Sequence, residues 1–291
     1  MRGQIVKALS GFYYVKTEVG TFSCRARGIF KKEGISPLVG DWVDILIQDE
    51  EEGVVDSIEA RQNEFVRPPI ANIDLFVTVI SVRDPAANPE VLDRFCAVAE
   101  AASVDVLLCV NKCDLDSHFE RVLALEKIYA HLYPVLRVSA ATGEGIETLR
   151  ERLRDRTAAF SGPSGVGKSS IIAALTGQNE IKTDRVSRKT GRGRNTTRHV
   201  EIFETDFGAR IFDTPGYTAF EIVAEEPENL DQLFPELARL RASCRFDDCF
   251  HVHEPDCAVR SAVASGQIAP SRYASYVKML EEAKKKGVFH A

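Results

Sequence analysis

No apolar stretch of this sequence approaches the ~20 residues that a helix needs to cross a bilayer. The first residues, from Met1 to Lys7, also lack the apolar core and the small-residue cleavage site of a signal peptide. Charge of one sign is not in large excess, since the net charge of −6 argues against nucleic-acid binding over the whole surface. These absences favour a cytoplasmic chain with no membrane partner, which we expect to be a monomer.

Composition and patterning predict a multidomain α/β protein. Residues 1–68 carry short β-prone stretches without an amphipathic helix, which fits a five-stranded OB-fold-like β barrel; a small SH3-like barrel fits nearly as well. Trp42 lies in an alternating strand there and is predicted to pack in the core. Residues 69–222 alternate strands with helices, as in a doubly wound, mostly parallel sheet. Residues 223–291 are predicted to form an α-helical zinc-binding domain.

The phosphate end of a nucleotide site is predicted where a short apolar strand runs into a glycine loop and then a helix. Converging backbone N–H groups and the helix dipole favour phosphate there. Lys168 is expected to reach the β and γ phosphates, and Ser169 to ligate Mg²⁺. A chance glycine loop is the alternative, which the flanking elements disfavour. The predicted phosphate-binding residues are Gly162, Pro163, Ser164, Gly165, Val166, Gly167, Lys168, Ser169 and Ser170.

Two segments after this loop complete the predicted catalytic group. Asp213 ends an apolar strand and is expected to hold Mg²⁺, while Gly216 can offer its N–H to the γ-phosphate. The other segment lies between the phosphate loop and Asp213, and a threonine in it can close over Mg²⁺ and the γ-phosphate when GTP is bound. Sequence does not separate Thr196 from Thr197, and we favour Thr197 slightly; a solvated polar loop is the alternative.

The base end of the site is predicted at Asn111, Lys112 and Asp114, directly after an apolar strand. The Asp114 carboxylate can accept hydrogen bonds from guanine N1–H and N2–H, whereas adenine offers no such pair of donors. Asn111 is expected to brace the loop and the stem of Lys112 to lie over the base. One strand later, Ser139 and Ala140 can offer a backbone N–H to guanine O6. GTP is therefore the predicted nucleotide.

The order of these motifs is rotated, because the base-reading segment precedes the phosphate loop. With the N-terminal barrel, the Arg67-Pro68-Pro69 linker and Thr196-Thr197-Arg198-His199, the order resembles the ribosome small subunit-dependent GTPase A family, a group of circularly permuted GTPases. The resemblance implies a cytoplasmic protein that binds the small ribosomal subunit and its rRNA. It also implies GTP hydrolysis that is stimulated by the subunit and coupled to late maturation and to release.

One departure from that family affects the chemistry. Asn195 stands where related proteins commonly carry a histidine proposed to position the attacking water. His199 lies nearby, but its place at a strand start favours a structural role. Tyr217 follows Gly216, where small GTPases place a water-orienting glutamine. We therefore predict slow intrinsic hydrolysis that a partner accelerates.

The cysteines divide into two groups. Four are scattered, mostly in apolar stretches, as buried free thiols often are: Cys24, Cys96, Cys109 and Cys113. Cys244, Cys249 and Cys257 instead surround His251, the ligand set of a closed structural zinc site. His253 is a competing ligand, although spacing and the family resemblance favour His251. Free thiols without metal are the alternative.

A basic cluster, Lys182 to Arg198, contains a single acid and includes the two threonines. It is predicted to grip RNA phosphates, or else to be a solvated loop. A scaffold that binds RNA under GTP control, without needing turnover, is a competing function. A small-molecule kinase is disfavoured because no acceptor site is evident.

Overall fold

The computed structural model describes residues 1–177, 200–213 and 226–286. The chain begins with a closed five-stranded barrel in which strands follow the order β1-β2-β3-β5-β4 and β4 pairs back to β1. Its elements are β1 (Arg2–Leu9), β2 (Phe12–Lys16), β3 (Thr21–Ala26), α1 (Gly28–Lys32), β4 (Trp42–Ile47) and β5 (Glu52–Ile58). The predicted OB-like barrel is confirmed.

The barrel interior follows the alternation of its strands. In β4 the side chains of Val43 and Ile45 are buried, whereas Asp44 between them is exposed. The prediction that Trp42 packs in the core is wrong. Since Trp42 lies one position from Val43, it takes the outer face, where it is half-buried beneath the guanidinium groups of Arg2 and Arg210.

A short hairpin follows the barrel. It consists of β6 (Glu64–Phe65) and β7 (Ile70–Ala71), with the predicted proline linker between the two strands. Gly40 packs so close to β7 that a Cβ atom on it would lie 2.0 Å from the carbonyl oxygen of Ala71. The linker segment is therefore packed against the barrel.

The second layer is a mostly parallel sheet in the order β10-β9-β8-β11-β13-β12, with only β12 antiparallel to its neighbour β13. Its strands are β8 (Leu75–Ser81), β9 (Asp105–Asn111), β10 (Val135–Arg137), β11 (Thr157–Ser161), β12 (Glu201–Glu204) and β13 (Arg210–Asp213). Its helices are α2 (Pro89–Ala101), α3 (Glu120–Tyr129), α4 (Ile146–Leu153) and α5 (Lys168–Thr176).

Two apolar clusters cover the two faces of this sheet. Phe76 of β8 packs in the cluster that contains Leu92 of α2, and the next residue, Val77, packs in the cluster that contains Ile171 of α5. All seven residues of β8 are buried, as expected for a parallel strand between two helical layers. The predicted doubly wound arrangement is confirmed.

The barrel and the central sheet are joined by hydrogen-bonded strands. Barrel strand β1 pairs antiparallel with β12, with Lys7 opposite Glu201. The Lys7 ammonium lies 2.9 Å from a carboxylate oxygen of Glu201, and a second ion pair links Lys16 to Glu204 at 2.5 Å. Eleven of the described strands thus form one continuous sheet that closes into the barrel at one end.

The C-terminal region is helical, as predicted. It contains 3-10 helices at Pro227–Leu233 and Arg241–Ser243, and α-helices α6 (Pro235–Ala238), α7 (Ala258–Ala264) and α8 (Pro270–Lys286). Within the described residues, no helix is long and apolar enough to span a membrane.

A buried ion cluster attaches this region to α2. The Arg272 guanidinium of α8 donates to both carboxylate oxygens of Glu236, at 2.6 and 3.0 Å, and to Asp93 of α2 at 2.8 Å. The hydroxyl of Tyr129 donates to the same Asp93 oxygen at 2.8 Å.

Candidate functional site

The glycine loop lies at the carboxyl edge of the central sheet, between β11 and α5. Gly162, Gly165 and Gly167 all have positive φ angles, which other residues rarely adopt. A Cβ atom at Gly162 would lie 2.1 Å from the Val79 carbonyl oxygen, and one at Gly167 would lie 2.3 Å from Nδ2 of Asn111. Glycine is needed at both positions because the loop runs against two neighbouring strands.

Lys168 begins α5 and folds back over the loop. Its half-buried ammonium donates to the carbonyl oxygens of Gly162 at 2.6 Å and Pro163 at 2.9 Å. Burial lowers the pKa of Lys168. Ser169 and Ser170, in the first turn of the same helix, are exposed. The geometry places a cation and two hydroxyl groups at a helix N-terminus.

Asn111, the last residue of β9, forms hydrogen bonds to the phosphate loop and to the loop after β10. Its Nδ2 donates to the Val166 carbonyl at 2.8 Å, and its Oδ1 accepts from the backbone N–H of Ala140 at 3.2 Å. The side chain is buried, so both bonds are shielded from water. The structure thus joins the phosphate loop to the two base-end segments, which are far apart in sequence.

Lys112 adopts the left-handed conformation, with a φ of 62°, just before a 3-10 helix at Cys113–Leu115. Its ammonium donates to the carbonyl oxygen of Gly165 at 2.8 Å and to that of Asp84. The stem of Lys112 therefore spans the gap between the base-end loop and the phosphate loop.

Asp114 and Ser139 form a pair that sequence reasoning missed. The Ser139 hydroxyl donates to Asp114 Oδ1 at 2.6 Å and accepts from the backbone N–H of Thr142 at 3.1 Å. Asp114 is exposed while Ser139 is buried, so the serine fixes a carboxylate at the mouth of the site. The Ser139 N–H itself donates to the Glu144 carbonyl at 2.9 Å.

The segment after β8 was also missed. Asp84 offers its carbonyl to Lys112, and the Pro85 Cδ atom lies 3.5 Å from the position that a Cβ atom on Gly165 would take. Ser81 donates to the Pro85 carbonyl at 2.6 Å and holds the turn. The available signal was position, because β8 ends at the same sheet edge, between β9 and β11.

Part of the predicted site lies outside the described residues. These positions are Asn195, Thr196, Thr197, His199, Gly216 and Tyr217, together with the basic cluster Lys182–Arg198. Asp213 is described as the last residue of β13. Its neighbour Phe212 pairs with Ala159 of β11, so β13 ends at the edge from which the phosphate loop emerges.

A second candidate site is the cysteine–histidine cluster, Cys244, Cys249, His251 and Cys257, whose ligand atoms all lie within 4.8 Å of one another. Tetrahedral zinc, with bonds of ~2.3 Å to sulfur and ~2.05 Å to nitrogen, separates two sulfurs by about 3.8 Å and sulfur from nitrogen by about 3.6 Å. Here the Cys244 and Cys257 sulfurs are 3.8 Å apart, and they lie 3.5 and 3.4 Å from Nδ1 of His251. The four residues fit a zinc ion, whereas His253 is exposed and outside the cluster.

Two acidic residues support this cluster. Asp231 Oδ2 lies 3.1 Å from Nε2 of His251, and Asp231 Oδ1 accepts from Arg241 at 2.5 Å. The Glu254 carboxylate accepts from the backbone N–H groups of residues 250, 252 and 253, at 2.8 to 3.1 Å. Burial would raise the pKa of Glu254, but these backbone hydrogen bonds outweigh it and lower that pKa to about 2.

The strand order, the phosphate loop and the base-end segments define a circularly permuted P-loop GTPase. The family model for the RsgA GTPase matches residues 58–223, and that for the RsgA N-terminal domain matches residues 2–55. The chain therefore belongs to the RsgA GTPase family and is a GTP hydrolase. The family resemblance read from the motif order is confirmed.

Relatives cover nearly the whole chain. A protein of Caldanaerobacter subterraneus subsp. tengcongensis named small ribosomal subunit biogenesis GTPase RsgA is 44% identical over 98% of this chain and 97% of its own. A Bacillus velezensis protein of the same name is 40% identical over 98% of both. The crystal structure of YjeQ from Thermotoga maritima is 36% identical, with a TM-score of 0.83 over 97% of this chain and 98% of its own. YloQ, described as a circularly permuted GTPase, is 34% identical with a TM-score of 0.80, over 98% and 95%.

Proposed function

We propose that the chain binds the small ribosomal subunit and its rRNA, hydrolyses GTP there, and couples hydrolysis to late maturation and to its own release. The observation that carries this proposal is the 44% identity, over nearly the full length of both chains, to a protein named for small-subunit biogenesis. The proposed partner implies a cytoplasmic location. We further propose a monomer with domains at 1–68, 69–222 and 223–291.

The proposed nucleotide site follows the described loops. Asp114, fixed by Ser139, accepts from guanine N1–H and N2–H, while Lys112 flanks the base. Lys168 exchanges the two carbonyl oxygens that it now contacts for β and γ phosphate oxygens, because a charged acceptor forms the stronger hydrogen bond. Backbone N–H groups of residues 162–170, except Pro163, which has none, surround the phosphates.

Mg²⁺ is proposed to bind with the nucleotide through Ser169, Asp213 and Thr197, and it supplies charge neutralisation on the phosphates. The exposed Ser169 hydroxyl, one residue after Lys168, suits this role. Thr197 and Gly216 are proposed to contact the γ-phosphate side. Because Asn195 and Tyr217 replace residues that commonly handle the attacking water, we propose that intrinsic hydrolysis is slow and that the subunit supplies or orders the missing group.

Zinc is proposed at the cysteine–histidine cluster in a structural role. All four positions of a tetrahedral ion are taken by protein atoms, and three of the four residues are almost fully buried. The ion stabilises a segment too short to form its own core.

The deciding experiment measures phosphate release from GTP by the purified chain alone, with isolated small subunits, and with isolated large subunits. We expect the small subunit to raise turnover by at least ~10-fold and the large subunit to have no effect. The Lys168→Ala variant is the control for contaminating hydrolysis in the ribosomal preparation. Equal turnover with and without small subunits would remove the ribosomal part of the proposal and leave a GTPase.

A variant of Ser169 distinguishes two functions: a GTPase whose hydrolysis sets the time of its release, and a GTP-controlled RNA-binding scaffold that does not need turnover. If hydrolysis times release, a Ser169→Ala chain loaded with GTP stays on the subunit longer than wild type. If turnover is incidental, the two chains dissociate at equal rates. Co-sedimentation with small subunits after a chase of unlabelled chain measures this difference.

A further inference from the structure

The imidazole of His251 is fully buried and held at both nitrogens. Nδ1 faces the sulfurs of Cys244 and Cys257, and Nε2 faces the Asp231 carboxylate at 3.1 Å. The backbone here is fixed separately, since the hydroxyl of Tyr273 donates to the His251 carbonyl at 2.7 Å. Asp231 therefore acts on the ring, not on the course of the chain.

The Asp231 carboxylate determines which nitrogen of the His251 imidazole carries the proton. Its other oxygen accepts from Arg241, which also donates to the Glu228 carbonyl at 2.9 Å and is thereby held in place. A carboxylate paired with arginine is an acceptor only, so His251 Nε2 must be the nitrogen that donates. In the neutral imidazole the lone pair then lies on Nδ1, which faces the thiols.

We propose that Asp231 is the positioning residue of the cysteine–histidine cluster, holding His251 in the Nε2–H form with its Nδ1 lone pair directed at the metal. This inference rests on the proposed zinc site and deepens it. Asp231 lies in the 3-10 helix Pro227–Leu233, which packs against α8 and lies outside the ligand-bearing segment 244–257. The metal site therefore extends to a carboxylate thirteen residues before its first ligand, Cys244.

Loss of Asp231 should weaken metal binding without changing the ligands. Outer carboxylates on metal-bound histidines typically contribute ~10–100-fold in affinity. Asp231→Ala removes the acceptor altogether, so we expect a loss in that range. Asp231→Asn keeps the size and one acceptor oxygen but loses the charge, so we expect a smaller loss of about 10-fold.

The test uses the full chain, stripped of metal under reducing conditions and titrated with Co²⁺ and with Zn²⁺. A chromophoric chelator in competition gives the Zn²⁺ affinity, and the Co²⁺ spectrum reports the number of sulfur ligands and the tetrahedral geometry. Asp206→Asn is the matched control, because Asp206 is an exposed carboxylate paired with Arg150 in the GTPase domain. We expect wild-type affinity for this control.

The outcomes are distinct. Weaker binding by both Asp231 variants with an unchanged Co²⁺ spectrum supports the positioning role, because a misfolded domain would lose the spectrum as well. Wild-type affinity in Asp231→Asn and Asp231→Ala overturns that role but leaves the zinc site standing. If the wild-type chain binds neither metal, the zinc proposal fails and this inference fails with it. Should Asp231→Ala not fold, the isosteric Asp231→Asn decides.

Discussion

The nucleotide site and the cysteine–histidine cluster are built in opposite ways. The nucleotide site collects loops from several strands, its Lys168 and Lys112 contact backbone carbonyls, and Asp114 and Ser169 are exposed. The four residues of the cluster lie within fourteen consecutive positions, and three of them are almost fully buried. The first is a surface whose charged groups can change partners when a ligand arrives. The second is a closed group of side chains whose sulfur and nitrogen atoms already lie at the separations that a tetrahedral zinc ion would need.

The largest expected effect comes from removing one ligand of the cluster. Cys257→Ser should abolish tight zinc binding and unfold the C-terminal domain, because structural zinc contributes ~10 kcal/mol or more to folding in small domains. GTP binding at the nucleotide site should survive, because none of its described residues belongs to the cluster. Metal content by mass spectrometry and binding of a fluorescent GTP analogue test both statements.

Cys96→Ala is the control, because Cys96 is a buried thiol of α2 outside the cluster. It should keep one zinc per chain. If Cys257→Ser kept one zinc per chain and the melting temperature of the wild type, zinc binding and folding would not require all four residues of the cluster.

The second largest effect is expected at the buried ion cluster that attaches the C-terminal region to α2. Arg272→Met leaves Asp93 and Glu236 buried without their cation, and breaking a buried ion pair on one side costs ~3–5 kcal/mol. Urea unfolding followed by circular dichroism measures the loss.

The exposed pair of Arg156 with Asp105 is the matched control, and Arg156→Met should cost less than ~1 kcal/mol. If both variants lowered the free energy of unfolding equally, the buried ion pairs of Arg272 would contribute no more to stability than an exposed pair. They would then not be what holds the C-terminal region against α2.

At the nucleotide site, Lys168→Ala should lower GTP turnover by ~100-fold or more, since one lost contact to transition-state charge costs that much. Zinc content and the melting curve should not change, because the hydrogen bonds of Lys168 within the described part of the chain are to its own loop. Lys127→Ala, on the exposed face of α3, is the control and should keep full activity. Loss of zinc in Lys168→Ala would contradict the separation of the two sites.

The smallest effect is expected from Ser139→Ala, which removes the hydroxyl that holds Asp114. A single hydrogen bond contributes ~1 kcal/mol, so GTP affinity should fall by about 5-fold. Ser57→Ala is a close control, because Ser57 donates to Asp44 in the barrel in the same manner. Titration calorimetry with GDP and GTP resolves this difference, and unchanged affinity would show that Asp114 needs no support.

Sequence predicted the features that are local in the chain. The phosphate loop, the base-end motif and the cysteine–histidine set each lie within a short segment of the chain, and the alternation of strands with helices in residues 69–222 also follows from local patterns.

The features that were missed join residues far apart in sequence. Asp231 meets His251 across twenty positions, Lys112 meets Asp84 across 28, and Arg272 meets Asp93 across 179. A side chain's partner at such separation depends on how the layers pack, which no local pattern encodes. The prediction for Trp42 was wrong for a simpler reason. Alternation assigns the side chains of a strand to two faces but does not say which face lies inside the barrel.

The pairing of β1 with β12 also affects the tendency of the protein to aggregate at high concentration. Without the barrel, β12 would end the central sheet with a row of unpaired backbone groups, the usual template for strand addition and aggregation. At the opposite end, the edge strand β10 has only three residues. Among the described strands, the β12 edge of the central sheet is paired at Glu201 with the chain's own first strand, and the opposite edge strand is too short to offer a long row of unpaired backbone groups.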